Sequence, residues 1–168
     1  MNLGYPGGPI VSRLAEEGDD KAYKLPRPMM DKDNYDFSLA GLKTAVLYTL
    51  EKKKNINKKD VKDVCASFQT AVTDVLVHKT IRAVGEFGVK SIMLAGGVAA
   101  NSNLKSRLSV EAKKLDMPFF FPEIKYTGDN AAMIAAAAYY KIQNKQADIL
   151  QGKEIFNLQP KSNWQLVK

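Results

Sequence analysis

Residues 91–103 read SIMLAGGVAANSN, a short apolar run that stops at two glycines and restarts as a polar segment led by Asn101. An apolar run of this length between turn residues predicts a strand that is buried on both faces. Gly96 and Gly97 favour a tight turn because they carry no side chain, and they let a flat or anionic group approach the backbone. The residues that follow have helical period. The stretch therefore predicts a strand, a glycine turn and a helix.

The same order recurs further along the chain. MPFFFP (117–122) predicts a second buried strand, and DNAAMIAAAAYYKIQN (129–144) predicts an Ala-rich helix that Asp and Asn open. Upstream, apolar positions at helical spacing predict helices over 39–53 and 59–87, and a shorter one that has Pro9 in its first turn. Alternation of strands and helices predicts an α/β fold with a parallel sheet.

Composition limits the class of protein. The chain has 168 residues and is 45% hydrophobic, enough for one domain or one lobe of a larger protein. It contains no apolar run of about 18 residues, and MNLGYPGGPI lacks the basic-then-apolar layout of a signal peptide, so we expect a soluble cytoplasmic protein without membrane contact. The net charge of +7 permits a polyanionic partner such as RNA, although a solvated lysine-rich surface explains it equally well.

Two predicted strand ends carry polar side chains, and ligands of parallel sheets bind at such ends. Asn101 offers a donor and an acceptor to a ligand; the structural alternative is that it caps the following helix. Asp129 offers a carboxylate to a divalent metal or a water; the alternative is helix capping by Asp129 and Asn130. Together the two ends predict the floor of a nucleotide pocket.

Other chemistries have little support in the sequence. His78 is the single histidine and lies within the long predicted helix, which favours a core or surface role over a metal cluster. Cys65 is the single cysteine and lies on the apolar stripe of that helix, where thiols are usually inert packing groups.

Six stretches of the chain, in this order and spacing, resemble motifs of the TsaD family, also called the Kae or Gcp (YgjD) family. The stretches are LGYPGGP, KLPRPM, DFSLAGLKTAV, SFQTAVTDVL, LAGGVAAN and TGDNAAMIAAAAYY. The likeness runs from Leu3 to about Ile142. It predicts a family lobe over residues 1–145 and a variable tail over 146–168.

The resemblance implies an actin-like, Hsp70-like (ASKHA) nucleotide-binding fold, of which this chain would be the C-terminal lobe with a parallel-containing sheet flanked by helices. It also implies transfer of a threonylcarbamoyl group from threonylcarbamoyl-AMP to the adenosine next to the anticodon of tRNA. The implied cofactors are a divalent metal, iron or zinc, and an adenine nucleotide, threonylcarbamoyl-AMP or ATP.

The same resemblance implies roles for single residues. The nucleotide or adenylate would be contacted by Gly8, Gly96, Gly97 and Asn101, and Asp129 would be a metal ligand. The family often carries an acidic residue four positions after the glycine matched by Gly8, where this chain has Ser12. The family's HxxxH metal motif and its N-terminal Gly-rich loop do not occur in this sequence, so we expect the C-terminal half of such a protein.

Partners follow from the same reading. The whole protein would act on tRNA and assemble with TsaB-like and TsaE-like proteins, while this half alone would be inactive and prone to self-association. Lys24, Arg27 and Lys43 are predicted contacts to tRNA or another anion; ordinary surface charge is the alternative. Two other functions stay open: another actin-like enzyme, a kinase or carbamoyltransferase, and a non-catalytic module that binds tRNA or a partner protein.

Overall fold

The structure is a computed structural model that describes residues 3–146, 152–157 and 159. The chain divides into two compact units, residues 1–128 and 129–168. In the described residues, the first unit contains helices α1 (Gly7–Ala15), α2 (Ala40–Glu51), α3 (Lys58–Phe87) and α4 (Ser102–Lys114) and strands β1 (Ile92–Met93) and β2 (Phe119–Phe120). The second contains α5 (Ala131–Gln143) and a 3-10 turn, Gly152–Asn157. The α/β prediction is confirmed.

Helix α3 is the central helix of the first unit, and α1, α2 and α4 pack against it. Asn57 and Asp60 form a capping box at its start: the backbone N–H of Asp60 donates to Asn57 Oδ1 (2.9 Å) and that of Asn57 donates to Asp60 Oδ2 (3.0 Å). Gly88 ends the helix in the left-handed region at φ +58°. The predicted range of 59–87 is thus confirmed almost to the residue.

Three apolar clusters lie along α3 and attach the other elements to it. Their buried members are Ala15, Cys65 and Ala66, then Leu25, Leu42 and Ala71, then Val77, Leu104 and Leu108. Successive clusters therefore hold α1, then α2, then α4. Cys65 is 1% exposed, which confirms that it packs in the core.

The segment between α1 and α2 follows one face of α3. The backbone N–H of Asp19 donates to Asp63 Oδ1 (2.9 Å), and that of Tyr23 donates to Ser67 Oγ (3.2 Å). Further along, Arg27 pairs with Asp74 on the same helix. Asp63 and Ser67, one turn apart on α3, thus satisfy backbone N–H groups of a segment that forms no regular structure of its own.

Strands β1 and β2 pair in parallel, with Ile92 beside Phe119 and Met93 beside Phe120, as predicted. The expectation of burial on both faces is wrong. Ile92 is 5% exposed, whereas Met93 is 78% and Phe120 56% exposed. Phe119 packs with the cluster between α3 and α4, and because successive strand residues point to opposite faces, those helices cover one face only.

The second unit begins at Asp129. Asn130 is the N-cap of α5, and its side chain accepts a hydrogen bond from the backbone N–H of Met133 (2.9 Å). The predicted Ala-rich helix is confirmed. Of the predicted tail, residues 147–151, 158 and 160–168 lie outside the described residues. Within the part of the chain that is described, no helix combines the length and the apolar character needed to span a membrane.

Candidate functional site

The loop between β1 and α4 is built as a turn that only glycine can start. Gly96 has φ +82°, a conformation that side-chain-bearing residues rarely adopt, and Gly97 opens a 3-10 turn over Gly97–Ala100. A Cβ at either glycine would meet no atom within 4 Å. The surface above both glycines is therefore open, which leaves room for a flat group against the backbone.

Asn101 ends this turn and caps α4. Its Oδ1 accepts from the backbone N–H of Leu104 (2.8 Å), and its Nδ2 donates to Oε1 of Gln69 on α3 (2.8 Å). The capping alternative is therefore confirmed. A carboxamide has two donor hydrogens and two acceptor lone pairs, so one of each stays available to a ligand. Contact with a ligand remains a prediction.

Arg107 of α4 makes a second polar link to α3 that no pattern in the sequence predicts. Its Nη1 donates to Thr73 Oγ1 (2.7 Å) and its Nη2 to Asp74 Oδ1 (2.6 Å). Arg27 reaches the other carboxylate oxygen of Asp74 through its Nη2 (2.7 Å). Partial burial raises the pKa of Asp74, but hydrogen bonds and charge from Arg27 and Arg107 outweigh it and hold that pKa below its usual value.

The three residues predicted to contact an anion differ in whether another residue already occupies their charged group. Arg27 is committed to Asp74 and also donates to the carbonyl of Leu25 (2.7 Å), so an anion would have to compete with both. Lys24 and Lys43 are exposed, and no described residue pairs with either ammonium group. The structure thus leaves these two lysines available to a partner and gives Arg27 a structural contact.

Gly8 lies in the first turn of α1, exposed and with no atom within 4 Å of an added Cβ. Ser12 follows it by four residues on the same helix and is half-buried. Residues at this spacing share a helix face. The side chain at position 12 therefore lies beside Gly8 on the surface of α1.

Asp129 is exposed and immediately precedes the cap residue of α5. Among the described residues there is no group of three or more His, Cys, Asp or Glu side chains that could hold a metal ion. A tetrahedral protein site for zinc needs at least three such ligands. The described residues therefore do not form a metal site by themselves.

His78 lies exposed in a groove of about 530 Å³ between α3 and α4. The groove has apolar residues, among them Val77 and Ile81, beside the charged side chains of Arg107 and Glu111. Of the two roles expected for His78, the surface one is observed.

Comparison with known proteins adds a family to this geometry. The family model described as "TsaD: tRNA N6-adenosine threonylcarbamoyltransferase" matches residues 1–136. Among curated relatives, the tRNA N6-adenosine threonylcarbamoyltransferase of Thermotoga neapolitana is 52% identical over 141 residues, which cover 84% of this chain and 42% of the relative. Those of Thermosipho melanesiensis (48% identical, 83% and 42% covered) and Bordetella pertussis (41% identical, 99% and 49% covered) are similar. The chain spans less than half the length of these relatives.

Proposed function

Because this chain belongs to the tRNA N6-adenosine threonylcarbamoyltransferase family, we propose that it is the C-terminal half of such an enzyme. The whole protein would transfer a threonylcarbamoyl group from threonylcarbamoyl-AMP to the adenosine next to the anticodon of tRNA. We propose the actin-like, Hsp70-like lobe as its fold. The observation that carries the proposal is the open glycine turn of Gly96 and Gly97, which leads from a parallel strand directly into Asn101.

The turn suits the adenosine side of the substrate. The missing side chains of Gly96 and Gly97 let a base or ribose lie against the backbone. Asn101 then offers its remaining amide hydrogen and lone pair to the polar atoms of the nucleotide. Gly8, exposed at the start of α1, is proposed as a further contact to the adenylate.

In the proposed reaction, the N6 amine of the tRNA adenosine attacks the carbamoyl carbon of the mixed anhydride. The new N–C bond forms as the bond from that carbon to the phosphate oxygen breaks, N6 loses a proton and AMP leaves. The residues of this chain would bind and orient the AMP portion. Orientation alone is a large contribution to catalysis, because reacting atoms must meet in one geometry.

Iron or zinc is the metal that the family resemblance suggests. The described residues do not fit such an ion alone, since they contain no group of three or more His, Cys, Asp or Glu side chains and Asp129 is exposed. We therefore propose that Asp129 is a ligand this chain contributes to a metal held jointly with the other half of the enzyme.

The proposed partners follow from charge. A net charge of +7 favours tRNA, and the unpaired Lys24 and Lys43 are proposed as contacts to its phosphates, with Arg27 as a weaker candidate because Asp74 already holds it. TsaB-like and TsaE-like proteins are proposed as partners of the whole protein, and the cytoplasm as its location.

The test is calorimetric titration of the chain with AMP, with and without zinc, beside two variants of Asn101. Asn101→Ala removes both the helix cap and the ligand contact. Asn101→Ser keeps a capping oxygen but loses the amide donor, so it separates the two roles. We expect saturable AMP binding by the wild type and a loss in both variants. Equal binding by wild type and Asn101→Ser would contradict the proposal.

A further inference from the structure

The position of Asn101 depends on α3 as well as on its own loop. Its Nδ2 donates to Gln69 Oε1 (2.8 Å), although the two residues are 32 positions apart in the chain. One turn further along α3, Thr73 accepts from Arg107 of α4 (2.7 Å). Gln69 and Thr73 thus lie on one face of α3 and fix the start and the middle of α4.

Gln69 adds a second hydrogen bond that holds the Asn101 carboxamide in the orientation the helix cap requires. The backbone N–H of Leu104 requires an oxygen at the cap, and Gln69 Oε1 requires a donor on the opposite side. Only one of the two orientations of the amide satisfies both neighbours. Without Gln69, the hydrogen bond from the backbone N–H of Leu104 would be the one contact that holds the Asn101 carboxamide among those described.

We infer that Gln69 is a positioning residue that fixes the Asn101 carboxamide, so that one amide hydrogen and one lone pair face a bound nucleotide. This inference rests on the proposed nucleotide role of Asn101. Gln69 is half-buried and acts through Asn101. Its own contact with the nucleotide is not required.

The first arm of the test needs no ligand. The side-chain amide signal of Asn101 is followed by ¹H–¹⁵N NMR in the full chain and assigned by its disappearance in Asn101→Ser. Gln69→Leu keeps the approximate volume but has no acceptor, whereas Gln69→Glu keeps one. We expect the exchange of the Asn101 amide protons with water to become about tenfold faster in Gln69→Leu and to stay near wild type in Gln69→Glu. An unchanged Asn101 signal in Gln69→Leu would overturn the inference.

The second arm measures AMP affinity and melting temperature in the same proteins. We expect a dissociation constant about tenfold higher in Gln69→Leu and restored in Gln69→Glu, at similar melting temperatures. Equal loss in both variants would mean that Gln69 does not act through its acceptor and would count against the inference. If the wild type binds no AMP, the proposed nucleotide site fails, and the amide signal alone decides whether Gln69 orients Asn101.

Discussion

The backbone of Gly18 lies against the carbonyl group of Lys62, with no space between them for a side chain. A Cβ at position 18 would overlap that carbonyl and come within 2.9 Å of the backbone nitrogen of Asp63. This contact lets the chain that leaves α1 run directly along α3, where Asp19 then reaches Asp63. The φ angle of Gly18 lies outside the left-handed region, so any residue could adopt this backbone conformation. The close contact with Lys62 is therefore what requires a glycine at this position.

Gly18→Ala should therefore destabilise the protein. Because the clash is with backbone, the neighbouring atoms cannot move aside cheaply, and we expect a loss of about 2–4 kcal/mol in the free energy of unfolding. Urea denaturation followed by circular dichroism measures it. Gly85→Ala is the matched control: Gly85 lies within α3 with open space around it, and alanine there should stabilise by about 0.5–1 kcal/mol. Similar effects of the two variants would contradict the packing argument.

Asp74 should make part of the stability depend on pH. Its pKa is lowered in the folded protein, so its contribution is complete above the usual value of 3.8 and is lost as the pH falls through the lower folded value. Asp74→Asn should cost about 1 kcal/mol at pH 7, a modest amount because solvent partly screens these ion pairs. The cost should shrink below pH 4. Unfolding curves at pH 7, 5 and 3 measure it, and a cost that is constant with pH would rule this account out.

Lys79 should be essential for the segment that precedes α2. Its side chain is 1% exposed, and its ammonium group donates to the carbonyls of Asn34 (3.0 Å) and Asp36 (2.7 Å) and to Asn34 Oδ1 (3.2 Å). Lys79→Met keeps the aliphatic volume but leaves the carbonyl of Asp36 without its donor, while Asn34 keeps hydrogen bonds from Arg82 and from the backbone N–H of Asp36. We expect a loss of about 1–3 kcal/mol in the free energy of unfolding. Thermal unfolding measures this loss. Lys90→Met, at an exposed position, should change stability by less than about 0.5 kcal/mol.

Cys65 should react slowly with thiol reagents. Burial raises the pKa of its thiol, and the side chain is 1% exposed, so both the thiolate and access to it are suppressed. Labelling with Ellman's reagent should be at least about a hundredfold slower in the native protein than in urea. The control is Ser106→Cys on the exposed surface of α4, which should add one fast-reacting thiol. Rapid labelling of the native wild type would show that the α1–α3 contact opens readily.

Local patterns in the sequence were enough to predict the helices. The apolar period of residues 59–87 predicted α3. The alternation of strand and helix patterns around Gly96 and Gly97 predicted the parallel strand pair and the turn between β1 and α4. These features depend on residues close together in the chain, and their period reports which face is buried.

Contacts between distant segments could not be predicted in this way. A short apolar run is compatible with a strand that is covered on one face and with a strand that is covered on both. The exposure of Met93 was therefore not predicted. Gln69 is a polar residue on a helix, and nothing near it in sequence indicates that its partner is Asn101. The same holds for Arg27, whose charge suggested an anionic ligand although Asp74 accepts its hydrogen bonds. For Gln69 and Arg27 the partner lies 32 and 47 positions away in the chain.

Helix α3 contributes buried residues to all three of the described apolar clusters, so α1, α2 and α4 are each attached to the first unit through that helix. Opening of α1, α2 or α4 exposes the part of α3 against which that helix packs. The amide hydrogens in the middle of α3 should therefore exchange with deuterium only when the whole unit unfolds. Their protection would measure its global free energy of unfolding directly, and the stability of each attached helix would appear as a smaller value at its own amides.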